Sequence, residues 1–343
     1  MATAPVRAVL VGCGSICGAW LKAIQGEPDV QIVGLVDIRP ESLEKVAQAY
    51  GLTAVPRQTD LAALLREVHP DAVFNCTVPE AHLPVTLTAL EHGCHVLGEK
   101  PLADTLENAQ TMVAAAARAR RHFAVIQNRR YQAQIRSLRA FLDSGAIGRV
   151  STVNADFYIG AHFGGFRDRM EHVLLLDMAI HSFDQARLIT GADPLSVYCH
   201  EWNPAGSWYD HDASAHCLFE MTGDIVFNYR GSWCCEGLNT TWECDWRIMG
   251  EKGCVTWNGG DSFRAQTVAA TGKFFSDMRD VLVPVAMPAG MHAGHKGCIM
   301  EFVRCLQHGG TPETAAADNI KSLAMVIAAI RSAGNHRKVR IRP

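Results

Sequence analysis

The chain contains 343 residues, of which 48% are hydrophobic and 20% charged, and its formal net charge at pH 7 is −3. This length exceeds what one hydrophobic core usually organises, so we expect two domains of an ordinary globular protein. The slightly negative charge, without long runs of lysine or arginine, argues against nucleic acid as a partner, and the lack of a long uncharged apolar run argues against a membrane span.

The 12 cysteines are scattered and include no C-x-x-C pair. Structural metal sites normally need paired ligand spacings, so we expect reduced, buried thiols and no metal site. The N-terminal residues pass into an apolar strand without the features of a secretion signal, which favours a cytoplasmic location.

A glycine turn follows the first predicted strand, residues 7–11, and an apolar helical segment follows the turn. This order places backbone amides at a helix N-terminus, where they can bind a pyrophosphate. Cys17 replaces the third glycine of the usual fingerprint, so the match is partial. The residues expected to contact a dinucleotide here are Gly12, Gly14, Ser15 and Ile16.

The next predicted strand, residues 31–36, ends on Asp37. An acidic residue at this distance typically binds the adenosine ribose hydroxyls of NAD. Arg39 could instead face the 2′-phosphate of NADP, so we expect NAD with NADP as the alternative. Asp37 could also merely cap the helix that begins near Pro40.

Strands alternate with helices through residues 1–126, a pattern that predicts a parallel α/β sheet with right-handed crossovers. The carboxyl ends of its strands form the edge where a dinucleotide binds. Pro101 ends one of these strands, because proline cannot continue a ladder of hydrogen bonds. The polar turns after the later strands contain Thr77, Pro79, His82, Glu99, Lys100, Asn128 and Arg129.

From about residue 148 the pattern changes to period-two runs without intervening helices. Such runs predict an antiparallel or mixed sheet with one face covered by helices and the other free. The free face is a candidate subunit interface. The candidates for it are Trp202, Trp208, Trp233, Trp242 and Trp246.

A helical segment among these runs carries Asp177 and His181, which are one turn apart on the same face. A carboxylate so placed can orient the imidazole and raise its pKa, which suits a general base, although an ordinary surface pair has the same spacing. Tyr158, His162 and Arg167 precede the helix in a polar, glycine-rich stretch that could contact a substrate or simply be solvated.

Several motifs in this order resemble the glucose-fructose oxidoreductase, inositol dehydrogenase and MocA-like family. They are C-T-V-P-E-A-H at 76–82, E-K-P at 99–101 and N-R-R-Y at 128–131, after the N-terminal nucleotide fold. The resemblance implies a Rossmann domain at 1–126 and a C-terminal α+β domain at 127–343. The second domain would bind substrate and form a homodimer or homotetramer through a large, mostly antiparallel, open-faced sheet.

The resemblance also implies an NAD(P)-dependent oxidoreductase that acts on a CH–OH group of a carbohydrate or polyol. His181 would take the hydroxyl proton, Lys100 would stabilise the developing alkoxide, and Asp177 would orient them. Glu99 would position Lys100 or bind the cofactor's ribose. The residues expected to contact the substrate are Lys100, Arg129, Tyr158, His162, Arg167, Asp177 and His181.

An aldose oxidised at its anomeric carbon, such as a pentose or apiose, is the first substrate expected, and inositol is the second. Two alternatives remain on the same fold. One is an NAD-dependent glycosidase, and the other is a nucleotide-sensing regulator without catalysis.

Overall fold

Two separate sheets organise the chain in the computed structural model, which describes residues 4–343. One compact unit contains the residues up to Tyr131 together with Met291–Ile320, and the other contains Gln132–Gly290 and Lys321–Pro343. The predicted functional domains, 1–126 and 127–343, differ from these units chiefly in residues 291–320. Compactness alone does not test which residues bind cofactor or substrate, so those boundaries stay a prediction.

The first sheet has six strands in the order β3-β2-β1-β4-β5-β6, and every neighbouring pair is parallel. Its strands are β1 (Val6–Val11), β2 (Val30–Val36), β3 (Arg57–Gln58), β4 (Ala72–Asn75), β5 (His95–Gly98) and β6 (Phe123–Val125). All residues of β4 and β6 are buried, as expected for strands covered on both faces. The strand order reverses between β1 and β4, which opens a crevice at their carboxyl ends.

Helices follow most strands of the first sheet. In chain order the helices are α1 (Cys17–Ile24), α2 (Pro40–Ala49), α3 (Leu61–Val68), α4 (Pro79–Glu91), α5 (Leu106–Ala119), α6 (Ala133–Asp143), α7 (Ile180–Thr190), α8 (Gly294–His308) and α9 (Ala316–Asn335). Proline begins α2 and α4, where its missing N–H has no intrahelical partner to lose. Asp60 caps α3 by accepting a hydrogen bond from the amide of Ala63.

Helix α8 belongs to the first unit although it lies far along the chain. Its buried residues share the apolar core formed by β1, β4 and α1, and Phe302 contacts Phe74 edge-on. The ammonium of Lys296 lies 2.5 Å from the carboxylate of Glu27. A late segment therefore completes the core of the parallel-sheet unit.

The second sheet has nine strands in the order β14-β13-β12-β11-β7-β10-β9-β8-β15. Its strands are β7 (Val150–Tyr158), β8 (Pro194–Trp202), β9 (Ser214–Met221), β10 (Ile225–Ser232), β11 (Asp245–Gly250), β12 (Gly253–Trp257), β13 (Phe263–Ala270), β14 (Asp277–Val281) and β15 (Val339–Arg340). Only the pairing of β7 with β10 is parallel among these neighbours. Both the parallel sheet and the mostly antiparallel sheet agree with the predicted fold class.

The placement of the tryptophans differs from the prediction. Trp202 lies on the open face of β8 with His200, but Trp233 and Trp246 are each only 2% exposed. Trp246 stands between exposed neighbours on β11, so alternation turns its ring towards the covered face. Trp208 and Trp242 lie in loops.

In the described part of the chain, residues 4–343, no helix combines the length and apolarity needed to cross a bilayer.

Candidate functional site

The glycine turn after β1 packs directly against the end of β4. Gly12 has φ +92°, and a Cβ built on it would lie 2.7 Å from the carbonyl carbon of Cys76. Gly14 has no atom within 4 Å of such a Cβ. Gly12 therefore lets two strand ends meet, while Gly14, Ser15 and Ile16 lie at the surface, where phosphate oxygens can approach the backbone.

Asp37 is held at the end of β2 by backbone amides. Its Oδ2 accepts a hydrogen bond from the amide of Cys13 at 2.7 Å, and its Oδ1 accepts one from the amide of Arg39 at 2.8 Å. The first of these bonds ties the carboxylate to the glycine turn. The Arg39 side chain is 61% exposed, with its Nε 3.8 Å from Asp37 Oδ1.

A cavity of about 490 Å³ lies between the glycine turn and the ends of β2 and β4. Its lining includes five of the predicted cofactor residues and is otherwise mostly apolar. The five are Gly12, Gly14, Asp37, Arg39 and Thr77. Because a carboxylate borders an apolar cleft next to an open glycine turn, these residues fit the adenosine and pyrophosphate of a dinucleotide.

The turn after β4 is shaped by a residue that the sequence analysis did not single out. Asn75 Oδ1 accepts hydrogen bonds from the amide of Thr77 at 3.2 Å and from its hydroxyl at 2.6 Å. The ring nitrogens of His82 lie 2.9 Å from the carbonyl oxygen of Pro101 and 3.1 Å from that of Thr77. Burial lowers the pKa of His82. His82 thus joins the turns after β4 and β5, and Pro79 begins α4 beside it. That these two residues contact the cofactor stays a prediction.

Lys100 is the second residue after the end of β5, at the carboxyl edge of the parallel sheet, and its peptide bond to Pro101 is cis. The preceding Glu99 is 6% exposed. Glu99 Oε1 accepts a hydrogen bond from Trp20 Nε1 at 2.7 Å, and Oε2 accepts one from the amide of Lys100 at 3.1 Å. Burial raises the pKa of Glu99, and the bond from Trp20 opposes that shift.

The turn after β6 carries the last predicted cofactor residue. Asn128 begins a short 3₁₀ turn, and its Nδ2 lies 3.3 Å from Nδ1 of His295 in α8. Burial lowers the pKa of His295. The neighbouring Arg129 is half-buried in the same turn. All these strand ends lie on one edge of the first sheet, as the sequence predicts.

In the second unit, the segment that carries Asp177 departs from the regular α-helix that was expected. Leu174–Ala179 forms a π-helix, and α7 begins only at Ile180. Such wide turns are rare and occur often at functional sites. Asp177 Oδ2 accepts a hydrogen bond from Arg167 Nε at 2.6 Å. His181, in the first turn of α7, is 7% exposed.

The loop between β7 and the π-helix is rich in aromatic contacts. His162 stacks on Trp208 with ring centroids 3.7 Å apart, and its Nε2 lies 2.8 Å from Glu236 Oε1. The guanidinium of Arg167 lies 5.0 Å from the Phe163 ring. His162 and Arg167 were predicted from the sequence, whereas Phe163 and Phe166 were not, although the F-G-G-F pattern at 163–166 was the available signal.

Tyr158 ends β7 beside this loop and is half-buried. Burial raises the pKa of its hydroxyl. Its amide donates a hydrogen bond to the hydroxyl of Thr240 at 3.0 Å.

Within residues 4–343, no group of three or more His, Cys, Asp or Glu side chains has an arrangement that could hold a metal ion.

Several known proteins are similar to this chain over nearly its whole length. It is 26% identical to the inositol 2-dehydrogenase of Rhizobium meliloti over an alignment of 353 residues. The alignment covers 98% of this chain and 99% of that protein. This chain is 27% identical over 349 residues to the D-apiose dehydrogenase of Rhizobium rhizogenes, covering 98% and 97%.

Among solved structures, an oxidoreductase from Agrobacterium radiobacter in complex with NAD+, L-tartaric acid and magnesium superposes with a TM-score of 0.85. The two chains are 24% identical, and the match covers 98% of each, so they share the fold.

Both halves of the chain match one family. Residues 6–127 match its oxidoreductase domain with an NAD-binding Rossmann fold, and residues 135–256 match its C-terminal domain. These matches confirm three predictions from the sequence: the family, the oxidoreductase class and NAD as the cofactor. The chain belongs to the Gfo/Idh/MocA family of NAD(P)-dependent oxidoreductases.

Proposed function

We propose that the protein is a dehydrogenase that oxidises a carbohydrate hydroxyl, with an aldose such as a pentose or apiose as substrate and its anomeric carbon as the hydride donor. The observation that carries the proposal is the position of Lys100 at the carboxyl end of β5, on the edge where a parallel sheet binds its ligands. The similarity to a D-apiose dehydrogenase over 98% of the chain supports this substrate class.

In the proposed reaction, one side chain accepts a proton and a second stabilises the developing negative charge. His181 accepts the proton of the substrate hydroxyl, and the ammonium of Lys100 donates a hydrogen bond to the same oxygen as negative charge develops. Asp177 orients this pair and is itself held by Arg167. The nicotinamide of the cofactor supplies the hydride acceptor when it is bound.

NAD is the proposed cofactor in preference to NADP. Asp37 keeps both carboxylate oxygens on backbone amides, in a position to accept the ribose hydroxyls. A 2′-phosphate beside this carboxylate would be repelled. Arg39 is the side chain that would favour NADP, and it stays largely in solvent.

The substrate contacts proposed in the second unit come from the loop between β7 and the π-helix, residues 159–173, and from its neighbours. We call this segment the aromatic loop. Aromatic rings suit the apolar face of a sugar, while His162 and Tyr158 can bond its hydroxyls. Arg129, in the first unit, and Arg167 would also accept an acidic sugar. The similarity to an inositol 2-dehydrogenase favours inositol as the second candidate substrate.

A homodimer or homotetramer through the open face of the second sheet is part of the proposal. Tyr198 and Leu218 pair across β8 and β9 on this face and are each 47% exposed. Exposed apolar side chains that adjoin one another on an open sheet face are typical of an interaction surface. Light scattering of the protein and of the Leu218→Glu variant would measure this: the wild type should be oligomeric and the variant smaller.

The catalytic role of Lys100 is tested by Lys100→Met, with Lys22→Met as the matched control. Lys22 lies in the exposed last turn of α1, so its loss should leave turnover unchanged. Lys100→Met should keep its affinity for NAD but lose roughly 10³-fold or more in kcat, because an electrostatic donor to the substrate oxygen is removed. Full activity of Lys100→Met would overturn the role.

The reaction itself is tested by mixing the protein with NAD or NADP and a panel of aldoses, inositols and glycosides. Accumulation of reduced cofactor with a free aldose supports the proposal, and accumulation only with inositol favours the second candidate. Cleavage of a glycoside without net reduction would indicate the NAD-dependent glycosidase. Cofactor binding without turnover on any member would favour the regulator.

A further inference from the structure

A buried hydrogen bond connects the helix of the glycine turn to the strand that ends at Lys100. Trp20 lies in α1 and is fully buried, and its Nε1 donates to Glu99 Oε1 at 2.7 Å. The Trp20 ring packs against Phe74 of β4 with ring centroids 5.4 Å apart. The indole is therefore fixed by the core, and its N–H points at a carboxylate 79 residues along the chain.

Burying a charged carboxylate at the position of Glu99 costs free energy unless hydrogen-bond donors surround it. Burial disfavours the charged form of Glu99, and the two donors that offset this cost are the Trp20 indole and the Lys100 amide. A neutral or apolar side chain would pack there at lower cost. The site is therefore explained better by what the carboxylate does for its neighbour than by stability.

The neighbour is the backbone of Lys100. Glu99 Oε2 accepts a hydrogen bond from the Lys100 amide at 3.1 Å, and Pro101 fixes φ on the other side of the lysine. Glu99 can hold this amide only while its own carboxylate is held in place. The bond from Trp20 does that from a rigid helix.

We propose that Trp20 is a positioning residue that acts on Lys100 through the carboxylate of Glu99. The inference rests on the proposed catalytic role of Lys100. It assigns to α1 a function in addition to its place beside the pyrophosphate, because the same helix then sets the direction in which the Lys100 side chain leaves the strand end.

The experiment is a double-mutant cycle with Trp20→Phe and Glu99→Gln in the full chain. Trp20→Phe keeps an aromatic ring in the core and removes the N–H, while Glu99→Gln keeps the shape and removes the charge. Loss of a hydrogen bond to a charged group should lower kcat about 10-fold to 100-fold in each single variant. The double variant should be no slower than Glu99→Gln alone, since Trp20 acts only through Glu99.

The dependence of kcat/KM on pH separates positioning from simple packing. Removal of the Trp20 N–H should raise the pKa of Glu99 further, so the component of the acidic limb that Glu99→Gln abolishes should move to higher pH in Trp20→Phe. The limb should not move again when Trp20→Phe is added to Glu99→Gln. Multiplying losses in the double variant, or an unchanged Glu99 component of the acidic limb in Trp20→Phe, would overturn the inference.

Trp257→Phe is the matched control. Trp257 is also buried and its indole N–H also donates a hydrogen bond, to the carbonyl oxygen of Gly260 at 2.6 Å in the second unit. Its kcat and pH profile should stay those of the wild type. Lys100→Met is measured in parallel: full activity there would overturn the proposed function, whereas an inactive Lys100→Met with multiplying losses in the cycle would overturn the positioning role alone.

Discussion

The guanidinium of Arg167 donates through Nε to Asp177 Oδ2 at 2.6 Å, so the carboxylate in the π-helix is tied to the aromatic loop. If Asp177 orients the catalytic pair, Arg167→Gln should lower kcat/KM for the sugar by roughly 10-fold to 100-fold, because a charged hydrogen bond of partly buried groups is lost. Steady-state kinetics with the best substrate of the panel measure this loss.

Two further variants refine this prediction. Arg167→Lys keeps the charge but cannot reproduce both the Nε bond and the contacts with Phe163 and Phe166, so it should not restore activity. Arg169→Gln removes an exposed arginine from the same turn and should behave as the wild type. Equal losses in Arg167→Gln and Arg169→Gln would indicate a general effect of charge.

The two glycines of the turn should respond differently to alanine. Gly12→Ala places a Cβ 2.7 Å from the backbone of Cys76 at a φ of +92°, so it should destabilise the fold by about 2 kcal/mol or more. Gly14→Ala has open space around its Cβ and should leave Tm nearly unchanged. Its methyl group would instead occupy the approach of the phosphates, so the affinity for NAD should fall.

Thermal unfolding followed by circular dichroism and NAD titration followed by protein fluorescence distinguish these outcomes. A stable Gly12→Ala variant would contradict the close approach of β1 to β4. Unchanged NAD affinity in Gly14→Ala would place the pyrophosphate elsewhere.

Replacement of Asp37 should change the choice of cofactor. Asp37→Ser removes the carboxylate that accepts the ribose hydroxyls and repels a 2′-phosphate, so the ratio of kcat/KM for NAD to that for NADP should fall by roughly 100-fold. Arg39 should carry the gained NADP activity, and Asp37→Ser/Arg39→Ser should lose it. An unchanged ratio in Asp37→Ser would show that Asp37 only shapes the turn.

The pair formed by His172 and Glu201 should make stability depend on pH. Their Nδ1 and Oε2 atoms lie 2.7 Å apart. The hydrogen bond to Glu201 raises the pKa of His172 above its ordinary 6.5, and burial raises the pKa of Glu201 above its ordinary 4.5. The folded chain therefore keeps protons on this pair to higher pH than the unfolded chain does, so the stabilisation is complete below the ordinary values and is lost as pH rises through the folded-state values.

Tm measured above pH 6.5 should accordingly fall more steeply in the wild type than in Glu201→Gln. Glu236→Gln is the control, because the His162–Glu236 pair lies in solvent, where ion pairs contribute little. Parallel slopes for the wild type and Glu201→Gln would contradict the coupling.

Local patterns were sufficient to predict both sheets. Except for the two-residue β3, each strand of the first sheet is a short, largely apolar run closed by a polar or glycine turn, and the crossover rule places Asp37, Thr77 and Lys100 on one edge. Alternation likewise predicted the second sheet. The predicted face was wrong for Trp246 because the face that a side chain occupies depends on the strand's register, which an aromatic ring does not specify, and Trp233 is buried just beyond the end of β10.

The remaining features depend on partners that are distant in sequence. Nothing near Glu99 indicates Trp20, and nothing near Thr77 indicates that His82 turns inward to two carbonyl oxygens. The spacing of apolar residues also cannot reveal the π-helix at Leu174–Ala179, since the same residues fit an α-helix, whose backbone hydrogen bonds span one residue fewer.

Because α8 belongs to the first unit, that unit cannot be prepared alone simply by ending the chain at Tyr131. A fragment that stops at Tyr131 would expose the core surface that Phe302 and its neighbours cover, and it should aggregate. The amide of Gly294 donates to the carbonyl oxygen of Tyr131 at 2.6 Å, so the two ends of the excised segment are adjacent. A short glycine linker from Tyr131 to Met291 would therefore give a single polypeptide in which nucleotide affinity can be measured apart from sugar oxidation.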